Sequence, residues 1–178
     1  MPTARRMSAL IPTLAASLAI AATLPACVGV STNPSIYDDP NARPVASAAI
    51  VEITSAAVRH VVSRYPVQGP YAVNLPSSIP DHQAELIIKR LNDDANLLTE
   101  ATQSLPVFHV ESVRVLGDEA IVQVHRPVTL ASAEGKPVTQ AIEVKCRGGV
   151  QPWRVVATRG LMLGAIPAPP YYLRASSN

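Results

Sequence analysis

The spacing of apolar residues changes along the chain and separates a helical part from a part made of strands. Between positions 46 and 64, apolar residues recur every three or four positions, which predicts an amphipathic helix that ends before Pro66. The residues of this stripe are Ile50, Ile53, Ala57 and Val61. Ser78 is the expected N-cap of a second helix, with Pro80 and Asp81 in its first turn, and a further piece of helix is predicted over 95–103.

From Pro106 onward the apolar period is two, which indicates strands. Gly117-Asp118 is a hairpin signal between two such runs. The predicted strands of this part are 107–116, 119–128, 138–147 and 153–159, and a separate short strand is predicted over 71–75, between Pro70 and Pro76. The fold class is therefore α+β, with N-terminal helices packed on a four-stranded antiparallel meander.

The hairpin loop also predicts which residues face one another in the first two strands. If Gly117-Asp118 is the loop, the numbers of paired residues add up to 235. His109 then lies opposite Arg126, with Glu111 diagonal to Arg126 on the same face. His125 is expected on the other face of the sheet.

The N-terminal segment has the pattern of an export signal. Arg5 and Arg6 precede an apolar run over 10–24, which ends in Leu24-Pro25-Ala26-Cys27. These four residues resemble the lipobox of bacterial lipoprotein precursors. The resemblance implies that 1–26 is a removed signal peptide and that Cys27 is diacylated, which anchors the protein in a membrane of the bacterial cell envelope, facing the periplasm or the outside. The alternative is an uncleaved membrane anchor over 10–30, although Pro12 and Pro25 interrupt it.

Turn-forming and disorder-forming residues follow the predicted anchor. Pro34, Pro40 and Asp38-Asp39 lie in a stretch that predicts a flexible tether with a span of about 20–25 Å. The chain of 178 residues is thereby divided into a signal peptide, a lipid anchor with its tether over 27–45, and a single domain over 46–178.

Charge and composition exclude several function classes. The chain has 15 Lys and Arg against 13 Asp and Glu, and both excess positive charges are Arg5 and Arg6. The balanced remainder has no basic cluster, which argues against a nucleic-acid partner. One Phe, one Trp and five Tyr leave little aromatic surface for stacking sugars or bases. If Cys27 is acylated, Cys146 has no intramolecular disulfide partner and should be a buried, inert thiol.

The best candidate for chemistry is His109-Val110-Glu111 together with Arg126. An imidazole beside a carboxylate can act as a general base, and a guanidinium can bind an anionic substrate. The structural alternative is a polar rim in which Glu111 and Arg126 form an ordinary pair. A metal site would need His125 on the same face, or a second downstream Cys beside Cys146, so neither a metal nor a cofactor is predicted.

The order of helices followed by a curved meander with a Trp-containing strand is similar to cystatin-like and nuclear-transport-factor-like α+β domains. The similarity rests on 113–118, 120–124 and Trp153-Arg154-Val155-Val156. Such folds host both enzymes and binding modules. The favoured interpretation is a non-catalytic module that binds an envelope protein or a small ligand. The alternative is a small hydrolase or isomerase that uses His109, Glu111 and Arg126.

Overall fold

The predicted first helix is present and provides the main apolar face of the domain. The computed structural model describes residues 30–33, 47–131, 137–164 and 166–175. Helix α1 spans Ser47–Arg64 and α2 spans Asp81–Lys89. The whole predicted stripe of α1 is buried: Ile50, Ile53, Ala57 and Val61. Helix α1 contacts four strands and α2, so its apolar spacing does select the face that packs on the sheet.

The predicted four-stranded antiparallel meander is wrong as a description of the sheet, which is larger and mixed. Its strands are β1 Val30–Asn33, β2 Tyr71–Asn74, β3 Ala95–Leu97, β4 Val107–Leu116, β5 Glu119–Ala131, β6 Pro137–Arg147 and β7 Arg154–Gly160. The strand order is β3-β2-β4-β5-β6-β7, and β1 also pairs with β4. The antiparallel strands β4 to β7 follow the predicted bounds closely, and the additional strands come from the N-terminal half of the chain.

The additional strands β2 and β3 belong to a β-α-β unit. Strand β2 is parallel to both β3 and β4, and α2 connects β2 to β3. The helical piece predicted over 95–103 is wrong, because Ala95–Leu97 is strand β3. Three residues are too few to show a period, so only pairing with β2 identifies this segment as a strand.

Strand β1 lies inside the segment that was predicted to be a flexible tether. It pairs antiparallel with the second half of β4, with Val30 opposite Leu116 and Asn33 opposite Val113. Thr32 is buried in this pairing. Residues 30–33 are therefore part of the folded sheet, whereas the rest of 27–45 and the predicted signal peptide 1–26 lie outside the described residues.

The two faces of the sheet are covered by different parts of the chain. On one face, α1 packs on a large apolar cluster that includes Phe108, Val110 and Val113. On the other face lies a smaller cluster of Ala72, Leu98 and Val107. The C-terminal segment 166–175 runs along this second face without helix or strand and hydrogen bonds to it.

None of the described helices is long and apolar enough to cross a membrane.

Candidate functional site

A β-bulge in β4 decides which polar side chains meet. From Ser112 to Leu116 the paired residues add up to 235, as predicted, but the register shifts between Ser112 and Val110. Glu111 is the extra residue of this bulge, so His109 lies opposite His125. The predictions that His109 faces Arg126 and that His125 lies on the opposite face are therefore wrong.

His125 is fully buried and is held from both of its ring nitrogens. Its Nε2 lies 2.8 Å from Oε2 of Glu111, and its Nδ1 lies 3.4 Å from Oγ1 of Thr139. The side chain of His125 is 0 % exposed, whereas that of Glu111 is 35 % exposed. Glu111 therefore reaches solvent on one side and the buried imidazole on the other, and it fixes the orientation of the ring.

His109 is buried as well, with 2 % of its surface exposed. Its Nδ1 lies 3.0 Å from Nδ2 of Asn74, and its ring stacks at a tilt on Tyr171 with centroids 5.4 Å apart. Because the amide nitrogen can only donate, Nδ1 accepts and the imidazole proton resides on Nε2. Burial, and secondarily the neighbouring His125, lower the pKa of His109 to about 4, so the ring is neutral at neutral pH.

Asn74 links His109 to the C-terminal segment. Its Nδ2 also donates to the carbonyl oxygen of Pro170 at 2.8 Å, and its Oδ1 accepts from the amide of Tyr172 at 3.0 Å. The side-chain amide of Asn74 therefore makes three hydrogen bonds, and all three partners belong to the fold. The imidazole of His109 is thus covered by a strap of backbone that Asn74 holds in place.

Arg126 lies on the other face of the sheet, away from the two histidines. Its Nε donates to Oε1 of Gln140 at 2.9 Å, and its guanidinium lies 4.3 Å above the ring of Tyr65. Tyr65 follows α1 directly, so these contacts place Arg126 on the α1 side. The structure therefore brings His109 and Glu111 together with His125, and separates Arg126 from them.

The arrangement is chemically a polar cluster in which the two imidazole rings are buried and Glu111 reaches solvent. General acid–base catalysis requires a side chain within hydrogen-bonding reach of a substrate proton. His125 contacts residues of the fold through both ring nitrogens, His109 does so through Nδ1, and both rings are buried. Among the residues that the structure describes, no group of three His, Cys, Asp or Glu side chains is arranged to hold a metal ion.

The predicted burial of Cys146 is confirmed. The thiol is fully buried on β6, where it shares the α1 face with Val144 and Ile142. Burial raises the pKa of Cys146 to about 11, so the thiolate is scarce at neutral pH and the thiol is a poor nucleophile. Cys27, the predicted lipidation site, lies outside the described residues.

Sequence reasoning missed Asn74 and the C-terminal strap as parts of this cluster. The available signal was a lone amide side chain inside the otherwise apolar strand Tyr71–Asn74, whose residues are all buried. Buried amides need partners, so such a residue points to a polar contact across the sheet.

Comparison with protein-family models, curated proteins and solved structures gives no match to this chain.

Proposed function

We propose that this chain is an exported bacterial envelope lipoprotein, anchored through acylated Cys27, whose α+β domain acts by binding a partner. The anchor is supported by Arg5, Arg6, the apolar run 10–24 and the lipobox-like Leu24-Pro25-Ala26-Cys27. Diacylation supplies two chains, which is the number that stable anchoring requires. The domain would then meet its partner at the surface of the membrane.

The burial of the histidine pair is the observation that supports binding over chemistry. A catalytic role for His109 would require the strap that Asn74 holds to move away and expose the imidazole. The guanidinium that could have bound an anionic substrate lies on the far face. The cluster instead joins β2, β4, β5, β6 and the C-terminal strap, which is what a structural polar network does.

Strand β7 offers the surface best suited to a protein partner. In the part of the chain that the structure describes, β7 pairs with β6 and ends the sheet. Six of its seven residues are exposed, among them Val156. An edge of this length presents unpaired backbone groups to which another chain can add a strand.

Mass spectrometry of the protein extracted from its native membrane tests the anchor. The expected N-terminal species begins at Cys27 and carries one diacylglyceryl group, with its two acyl chains, in thioether linkage on the sulfur, with or without a further acyl chain on the amine. The variant Cys27→Ser should accumulate as an unprocessed precursor. A mature protein that begins elsewhere, or that carries an unmodified Cys27, would refute this proposal.

Photo-crosslinking in living cells tests the binding surface. A photoreactive residue at Val156 on β7 should give a defined adduct, whereas one at Leu86 on α2, which has the same 47 % exposure, should not. The adduct should disappear when the exposed Thr158 is replaced by Pro, which blocks strand addition. Loss of the cellular function in His109→Gln with folding and adduct unchanged would instead favour an enzyme.

A further inference from the structure

The pairing of β1 fixes one end of the sheet close to the predicted anchor. Val30 lies opposite Leu116, the last residue of β4, so β1 enters the sheet beside the Gly117-Asp118 turn. Two residues separate Val30 from Cys27 in the sequence. Three residue steps of fully extended chain span at most about 11 Å. An acylated Cys27 therefore cannot hold this end of the sheet far from the lipid headgroups.

A second turn lies at the same end of the sheet. The amide of Gly148 donates to the carbonyl oxygen of Asp118 at 2.9 Å, which joins the β6–β7 turn to the β4–β5 turn. The two turns border an open cavity of about 550 Å³. We call residues 116–118 and 147–154 the turn end of the sheet.

The side chains of the turn end suit contact with a lipid surface. Val150 projects fully into solvent, with 106 % relative exposure, and Leu116 is exposed as well. Arg147 and Arg154 are exposed beside them, and the charge of Arg147 is shared by Glu119 at 2.6 Å and Asp118 at 3.7 Å. An apolar side chain at a protruding turn can enter the interfacial region, while the neighbouring Arg154 meets a phosphate group.

We propose that the turn end of the sheet lies against the bilayer that holds the Cys27 anchor. This inference rests on the proposed acylation of Cys27. The strands β4 to β7 then extend away from the membrane, and the loop after β7 lies at the end of the sheet that is farther from the bilayer. Leu161 bonds to Ala141, six residues along β6 from Arg147, so this loop is about 20 Å farther from the bilayer.

Spin labels at the two ends of the sheet test the orientation. The acylated full-length protein is bound to vesicles of phosphatidylethanolamine and phosphatidylglycerol, with a label on either Val150→Cys or Met162→Cys. Both positions are exposed, at 106 % and 81 %, so neither substitution removes a core contact. Because Cys146 is buried and an acylated Cys27 has no free thiol, the label attaches to the introduced cysteine.

Vesicle binding should cause a several-fold loss of collisions with an aqueous nickel chelate at position 150 and a gain of collisions with oxygen. Position 162 should show no change. Equal accessibility at the two positions, in protein whose mass confirms acylation of Cys27, would overturn the inference and leave the anchor intact. An unmodified Cys27 would overturn both proposals, and the same mass spectrum identifies that case.

Discussion

Acidification should destabilise the native domain through His109. An imidazole has an ordinary pKa of 6.5, and in the folded protein burial and the neighbouring His125 lower the pKa of His109 to about 4. Since the folded pKa is the lower one, the unfolded chain takes up a proton between these values that the native state does not. The stability contributed by neutral His109 is complete above about pH 6.5 and is lost as the pH falls toward 4.

The magnitude follows from the two pKa values. The difference between 6.5 and about 4 corresponds to about 3 kcal/mol of unfolding free energy, of which about 2 kcal/mol is lost by pH 5. The structural reason is that an imidazolium at this position could not accept the hydrogen bond from Asn74 and would be buried beside His125. Protonation of His109 should therefore be coupled to release of the C-terminal strap, whose Tyr171 stacks on the imidazole.

Urea unfolding between pH 7.5 and 4 measures this effect. The variant His109→Gln keeps an acceptor for the Asn74 amide and does not titrate, so its stability should fall less steeply than that of the native sequence. The variant His82→Gln removes an exposed histidine and should preserve the native pH dependence. If the unfolding free energy of His109→Gln fell as steeply between pH 7.5 and 4 as that of the native sequence, the pH dependence could not be assigned to His109.

Two further changes probe the same interior. Asn74→Ala removes the side chain that hydrogen bonds to His109, Pro170 and Tyr172. It should lower the unfolding free energy by about 3 kcal/mol in urea titrations. A decrease below about 1 kcal/mol would contradict the contact between Asn74 and the C-terminal strap. Cys146 should react with a thiol reagent only after denaturant is added, because it is fully buried with its pKa raised to about 11; rapid labelling in native buffer would contradict the burial.

The elements that could be predicted from the sequence are those with a long, regular apolar period. Helix α1 shows its stripe over eighteen residues, and its bounds match the prediction within one position. The strands of the β4–β5 hairpin were predicted from alternation and from the Gly117-Asp118 turn, and their register holds from Ser112 to Leu116. Local sequence sets these features because the spacing of apolar residues matches the period at which side chains return to the same face of a helix or strand.

The composition of the polar cluster could not be predicted in the same way. The bulge at Glu111 moves His109 from Arg126 to His125, and one inserted residue changes which side chains share a face. An alternating sequence carries no mark of such an insertion. The position of the bulge is decided by burial on both sides of it, with Val110 and Val113 both directed into the core on the α1 face.

The sequence by itself determined an α+β chain with a helix over 46–64, four alternating strands, a buried Cys146 and a lipobox-like Cys27. Only the tertiary structure decided that Val30–Asn33 forms a strand and that β2 and β3 join the sheet in parallel. It also decided that the C-terminal segment covers His109. These segments are three or four residues long, or have no period of their own. Their place in the sheet is set by hydrogen bonds to partners that are distant in sequence, which no local pattern encodes.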